Sequence, residues 1–314
     1  MARLILVGAG GFIGRALRRH LAAEGEEVVC VGRREDRSLP GEEWAVVDLL
    51  AAPASELATL MRGRGVRAVI NCAGLLDGPV DQMVRANAEL PARLVEAVAG
   101  DRPRLVHLGS AAEYGEREPD TSIDEEDSPR PHTPYGITKL AGTLIVAHAA
   151  GTRTADAVVL RLFNPLGPGM TGGSMPGRAA RLITEANRSG AGSIRMGPLD
   201  AWRDFVDVRD VASALLAAVL APEVSEPILN LGSGRARQAR DVVRAMAHAA
   251  GWEGEVIEQA DLGSPRSDGV SWQQAGTARI RAQLGWQPRF GLTAAATSVL
   301  AGLEGPKISA PAQG

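Results

Sequence analysis

The feature that most constrains this chain is a glycine-rich turn directly after its first strand. Arg3-Leu4-Ile5-Leu6-Val7 is a short apolar run, the pattern of a strand buried on both faces of a parallel sheet. It leads into Gly8-Ala9-Gly10-Gly11-Phe12-Ile13-Gly14, and Arg15 to Glu24 then reads as a helix. Gly8 and Gly11 let the backbone turn tightly and approach a pyrophosphate, while Gly14 lets the helix pack closely on the strand. The helix N-terminus adds free N–H groups and a positive dipole end for the phosphates. The segment predicts a dinucleotide site, with Phe12 and Ile13 in the same cofactor turn.

The next segments refine that site. Glu27-Val28-Val29-Cys30-Val31 predicts a second strand, followed by Gly32-Arg33-Arg34. An acidic residue at this place would hold a ribose 2′-hydroxyl, whereas an arginine accommodates a 2′-phosphate. Arg33 and Arg34 therefore predict NADP(H) rather than NAD, unless both are solvated surface arginines. Val46-Val47-Asp48-Leu49 would place Asp48 and Leu49 beside the adenine. Ala68 to Gly74 predicts another strand, whose small C-terminal residues Cys72, Ala73 and Gly74 pass under the cofactor. Strand and helix patterns alternate from Arg3 to about Arg161, the signature of a doubly wound parallel sheet.

Tyr135 and Lys139, in Tyr-Gly-Ile-Thr-Lys, share one helix face with about one turn between them. An ammonium beside a phenol favours the phenolate and lowers the tyrosine pKa toward working pH. That makes Tyr135 a proton donor or acceptor at a carbonyl or alcohol carbon. The same spacing also occurs as surface decoration on amphipathic helices, so the surrounding motifs decide.

Those motifs are several and in order. Leu105 to Gly115 carries Ser110, four residues before Tyr114-Gly115 and 25 before Tyr135. Val84-Arg85-Ala86-Asn87-Ala88, Arg161-Leu162-Phe163-Asn164-Pro165-Leu166-Gly167-Pro168-Gly169, Arg203-Asp204-Phe205-Val206-Asp207-Val208-Arg209-Asp210-Val211, Leu229 to Gly234 and Leu284 to Pro288 follow. Together with the Gly-x-x-Gly-Phe-x-Gly turn, they resemble the extended short-chain dehydrogenase/reductase family over nearly the whole chain. The resemblance implies a Rossmann α/β fold with a small C-terminal substrate-binding lobe, and Ser110, Tyr135 and Lys139 as catalytic residues. It places Tyr135, Lys139, Asn87 and Phe163 on the cofactor side and Asn164, Arg203 and Arg266 on the substrate side. In relatives, the helices equivalent to Gln82–Ala99 and Tyr135–Ala150 pair across a two-fold axis, so a homodimer is expected.

The family carries out several reactions. Its 4,6-dehydratases bear acidic or Ser–Glu pairs in the two positions after the catalytic serine or threonine; Ala111 and Ala112 stand there, and Glu113 comes one place late and should point elsewhere. Epimerases of the family usually hold NAD, whereas a net reductase exchanges its cofactor, so Arg33 and Arg34 lean toward reduction. Ile194 to Val211, with Gly167-Pro168-Gly169, is similar to the GDP-4-dehydro-6-deoxymannose reductases. Their Arg-Pro-Ser-Asp becomes Pro265-Arg266-Ser267-Asp268 here, with the arginine displaced by one place. The expected activity is NADPH-dependent reduction of the 4-keto group of a nucleotide-activated 4-keto-6-deoxy sugar. A 4-epimerase with tightly held NAD(P) is the alternative, with a 4,6-dehydratase or a non-catalytic NADP-binding protein behind it. The sugar, its nucleotide and the product stereochemistry stay open.

Composition agrees. Of 314 residues 45% are hydrophobic, and net charge is −3 with no basic stripe, which argues against nucleic acid as a partner. The longest apolar stretch, Val211 to Ala221, is about half a membrane span. Cys30 and Cys72 fall in predicted strands without metal-ligand spacing, so no metal is expected and a reducing cytoplasm fits both. The expected division is residues 1–164 as the NADP-binding domain, with 204–231 returning to it. Residues 165–203 and 232–304 form the substrate lobe, and 305–314 a loose tail. The proline-rich Glu116–Pro134 loop, ending just before Tyr135, is placed to cover the site.

Overall fold

The computed structural model describes residues 3–63, 65–170, 172–262 and 270–304; the expected tail and Arg266 lie outside them. The first half runs β1 (Arg3–Val7), α1 (Phe12–Ala23), β2 (Val28–Gly32), β3 (Glu42–Val46), α2 (Ala54–Met61) and β4 (Val66–Asn71). It continues through α3 (Val80–Val84), a π-helical turn (Arg85–Glu89), α4 (Leu90–Val98), β5 (Gly100–Ser110), a 3₁₀ turn (Ala111–Glu113), α5 (Pro134–Gly151) and β6 (Ala155–Leu162). Then come β7 (Asn164–Leu166), α6 (Met175–Ser189), β8 (Ser193–Met196), β9 (Trp202–Asp207), α7 (Val208–Leu220) and β10 (Ile228–Leu231). The chain closes with β11 (Ala236–Gln238), α8 (Ala239–Ala249), β12 (Glu255–Glu258), α9 (Ala278–Leu284) and α10 (Leu292–Glu304).

Seven strands form one parallel sheet in the order β3-β2-β1-β4-β5-β6-β10. The order reverses between β1 and β4, so helices cover both faces and a crevice opens outside the strand C-termini at that point. This is the doubly wound Rossmann fold. In β1 the side chains alternate: Leu4 and Leu6 enter the core on the α1/α7 side, and Ile5 and Val7 the core beneath α2, α4 and α5. Each such buried aliphatic contributes about 1.5–3 kcal/mol. An unbroken apolar run is thus what a strand buried on both faces requires.

A second body contains the three-stranded sheet β11-β9-β7 and the pair β12-β8, with its own core of Leu166, Ile183, Met196, Val243, Met246 and Val299 among others. The return to the large sheet begins at α7: β9, which includes Asp204 and Asp207, pairs with β7 and β11 of the small sheet. Among the described residues, no helix is long and apolar enough to cross a membrane.

Candidate active site

The glycine turn is built as tightly as its sequence demands. Gly8 adopts φ +80°, and a Cβ there would stand 2.7 Å from the Ala73 nitrogen, so only glycine lets β1 end against the exit of β4. A Cβ on Gly14 would lie 2.2 Å from the Gly8 carbonyl oxygen. Gly10 faces open space, and Gly11 caps α1 with no side-chain hydrogen bond to the first-turn amides. Uncapped N–H groups at the N-terminus of a twelve-residue helix, above an uncluttered glycine backbone, fit a pyrophosphate. α1 starts at Phe12, three residues before the helix read from sequence.

Arg33 and Arg34 are exposed just past β2 and make no side-chain hydrogen bond or ion pair among the described residues. Asp36 behind them is held by Arg18, which also clamps Glu42 at 2.7 Å. Leu49 is buried, and Asp48 accepts the Leu50 N–H at 3.0 Å. At the exit of β4, Asn71 accepts the Ala73 N–H at 3.1 Å, and Gly74 passes beside Asn87. Asn87 lies in the π-helical turn and is satisfied by the protein itself. It accepts from Leu75 N–H and donates to the Leu75 carbonyl, both at 2.8 Å, and to Thr138 Oγ1 at 3.0 Å. It fastens the β4 exit to α5. Cys72 is half-buried there, its thiol pushed up to about 12 by burial.

Ser110 ends β5, and its Oγ accepts the Ala112 N–H at 3.2 Å. Tyr135 is the second residue of α5. That helix starts at Pro134 behind Thr133, whose Oγ1 accepts the Gly136 N–H at 3.1 Å. A Cβ on Gly136 would come within 2.5 Å of the Ala112 carbonyl oxygen, and one on Gly142 within 2.1 Å of the Asn87 carbonyl oxygen. These two glycines seat α5 on the turn after Ser110 and on the π-helical turn. The seating sets the Ser110 hydroxyl beside the Tyr135 phenol, where it acts to lower the phenol pKa.

The electrostatics depart from the sequence expectation. Burial pushes the Tyr135 phenol above its usual value rather than below it, with the Ser110 bond opposing and the Glu113 charge adding to the rise. Burial also pulls the Lys139 ammonium down to about 8, with Glu113 and Cys72 acting against that fall. Lys139 donates to the Leu108 carbonyl at 2.5 Å. Desolvation is the largest cause in both, and Lys139 is not among the groups that act on the half-buried Tyr135 phenol. His107, paired with Asn71 at 3.0 Å, is held neutral by burial, and its Nε2 has no partner.

On the second side of the cleft, Phe163 is buried and tilted against Tyr114 at 6.3 Å. Asn164 donates to the Asp204 carbonyl at 3.2 Å. Arg203 donates to the carbonyls of Trp202 (2.8 Å) and Val270 (2.6 Å). Neither neighbouring aspartate takes it as an ion pair. Asp204 is buried among the N–H groups of Ser233, Gly234 and Ala275, and Asp207 binds Arg209 at 2.6 Å. Arg203 thus carries a half-buried charge, its pKa lowered by burial, with no carboxylate in bonding range among the described residues.

The Glu116–Pro134 segment is a strap more than a cover. Ile123 is fully buried, its N–H donates to Gln274 and its carbonyl accepts from Gly276, both at 2.8 Å. Glu125 accepts the Asn230 N–H at 2.7 Å, and Trp272 donates to the Thr121 carbonyl at 2.7 Å. Glu113 is the residue whose importance sequence reasoning passed over. It turns into the core, consistent with pointing away from a dehydratase position, and pairs with Arg161 at 2.7 Å. The Ser110-Ala-Ala-Glu113 capping box was its available signal.

A parallel sheet with this switch point, glycine turn and Ser–Tyr–Lys cluster defines a nucleotide-dependent dehydrogenase/reductase class. The chain belongs to the NAD-dependent epimerase/dehydratase family, the extended short-chain dehydrogenases/reductases, whose model matches residues 4–232. It is 37% identical to the dTDP-6-deoxy-L-talose 4-dehydrogenase (NAD(P)(+)) of Kitasatospora kifunensis, over 92% of this chain and 91% of that protein. It is 28% identical to the GDP-6-deoxy-D-mannose reductase of Pseudomonas aeruginosa, over 96% and 97%. The structure of RMD from Pseudomonas aeruginosa complexed with NADPH superposes with a TM-score of 0.80 at 26% identity, over 97% of this chain and 99% of that one.

Proposed function

We propose that this chain is an NADPH-dependent reductase of the 4-keto group of a nucleotide-activated 4-keto-6-deoxy sugar. The observation that carries the reading is the cluster of Ser110, Tyr135 and Lys139. A serine hydroxyl stands beside a phenol that burial holds above its usual pKa, one turn from a buried ammonium. A protonated phenol is an acid, the role that carbonyl reduction needs.

The bound cofactor would supply hydride to C4 of the sugar, held by the α1 N-terminus, the glycine turn and, at a 2′-phosphate, Arg33 and Arg34. Ser110 donates its hydroxyl hydrogen bond to the carbonyl oxygen and holds it beside Tyr135. As the new C–H bond forms, the carbonyl π pair moves to oxygen, and Tyr135 O–H gives that oxygen its proton. Lys139 stabilises the phenolate left behind until solvent reprotonates it. Arg203, which has no carboxylate in bonding range among the described residues and feels only the nearby Asp200 charge, supports a role in holding the diphosphate, with Asn164 beside it. Two relatives with dTDP- and GDP-6-deoxyhexose names support the substrate class. The higher identity of the first puts dTDP-activated sugars at the head of any panel.

Steady-state assays with dTDP-, GDP-, UDP- and CDP-activated 4-keto-6-deoxy sugars test this, alongside calorimetry with both cofactors. Expected are stoichiometric NADPH oxidation with one of them and NADPH bound at least about tenfold more tightly than NADH, about 1.4 kcal/mol. Equal affinities, or C4 interconversion with no net NADPH consumption, would give the assignment to the epimerase.

A further inference from the structure

Glu113 closes the 3₁₀ turn after Ser110 with its side chain fully buried. Its Oε1 accepts the Ser110 N–H at 2.7 Å and the Thr143 hydroxyl at 2.8 Å, while Oε2 accepts the Arg161 Nε–H at 2.7 Å. Arg161, itself 2% exposed, lies 4.5 Å from the centre of the Tyr114 ring, and Tyr114 donates to Asn230 Oδ1 at 2.7 Å. Gly109 makes the room: a Cβ there would stand 2.9 Å from Glu113 Oε1 and 3.0 Å from Thr143 Oγ1. Thr143 follows Lys139 by one turn on the same face of α5. One carboxylate therefore joins the strand end that carries Ser110, the helix that carries Tyr135 and Lys139, and β6.

A glutamine, with one acceptor oxygen, could keep the Ser110 and Thr143 bonds but not the one from Arg161, so only a carboxylate serves all three. The groups facing Lys139 are Cys72 beyond β4, His107 and the Leu108 carbonyl on β5, and Glu113. Burial keeps the Cys72 thiol protonated and His107 neutral. Among these groups Glu113 is the carboxylate, ion-paired with Arg161 of β6. We propose that Glu113 is a positioning residue of this site: its carboxylate ties Ser110 to the helix of Tyr135 and Lys139, and its charge is the buried anion that both of them face. The turnover readout of this proposal rests on the reductase reading, and its spectroscopic readout does not.

The chain has two tyrosines, so in a Tyr114→Phe background the ultraviolet absorbance of tyrosinate reports Tyr135 without substrate. In that background Glu113→Gln with Arg161→Met removes the pair electroneutrally. The double change should leave the melting temperature near that of its parent, yet lower the tyrosinate midpoint by about one pH unit. It should cut kcat about tenfold or more while KM for the sugar nucleotide stays within about twofold. Thr143→Val in the otherwise native chain keeps every charge and deletes one tether; it should lower kcat about fivefold. A double variant that titrates and turns over like its parent would make Glu113 a structural ion-pair partner only and overturn the proposal, as would an unchanged kcat in Thr143→Val. A tyrosine titration that depends on Glu113, in a protein that reduces no 4-keto sugar, would sink the reductase reading and uphold this one.

Discussion

For both Tyr135 and Lys139 burial is the largest influence on the pKa. A phenol held above its usual pKa is protonated at neutral pH, the form that gives up a proton in reduction, although the shift makes it the weaker acid. Tyr135→Phe should keep cofactor affinity and lower turnover by about 10²–10⁴, the worth of a positioned acid; near-native turnover would send the proton elsewhere. Lys139 has a folded-state pKa of about 8 against 10.5 in the free side chain. The unfolded chain therefore binds that proton more readily, and the stability this group contributes is present above about 10.5 and lost as pH falls through about 8. At neutral pH the ammonium costs on the order of 3 kcal/mol. Lys139→Met should accordingly raise the melting temperature by about 2–5 °C while abolishing most turnover, readable by calorimetry and NADPH oxidation. In the native enzyme, reduction should slow as pH rises through about 8 and the ammonium is lost.

At the scale of elements, the glycine turn and α5 both depend on close backbone approach. A Cβ on Gly14 meets the carbonyl oxygens of Gly8 and Ala9 at 2.2 and 2.8 Å, atoms that cannot swing aside. Gly14→Ala should destabilise the fold by about 2–3 kcal/mol or more and abolish cofactor binding. Gly10→Ala adds a methyl in open space. It should leave the melting temperature within a degree or two but weaken cofactor binding, because the methyl crowds the phosphate approach. Differential scanning calorimetry with cofactor titration separates the two; equal loss of stability in both would contradict the packing argument. The helix read from sequence over Gln82–Ala99 is broken into α3, a π-helical turn and α4. The widened turn lets Asn87 reach Leu75 and Thr138 at once, as such bulges do at functional places.

For the whole molecule, α3 and α5 leave an apolar stripe uncovered by their own chain. Val80, Val84, Ile137 and Leu144 are each about half exposed. Single exposed aliphatics are ordinary, but four on neighbouring helices make a larger apolar face. On α5 the small residues turned inward, Gly136 and Gly142, serve packing within the protomer. Ile137 and Leu144 stay exposed. We expect an isologous dimer through this face. Light scattering should give twice the chain mass for the native protein and a monomer for Leu144→Glu, with cofactor affinity retained. A native monomer at micromolar concentration would refute the dimer.

The amino-acid sequence determined what lies within contiguous segments. The β1–glycine–α1 turn, the alternation behind the doubly wound sheet and the one-turn spacing of Tyr135 and Lys139 are readable because each rests on given residues at short fixed spacing. The tertiary structure decided what depends on approach between distant segments. Glu113 meets Arg161 48 residues later, and Tyr114 meets Asn230 after 116. The Glu116–Pro134 loop is strapped by Asn230, Trp272 and Gln274, far beyond it in the chain. The direction of the Tyr135 pKa shift belongs with these. Spacing along a helix reports which charge is near, but only the packed chain reports how much water has been removed, and here the lost water dominates.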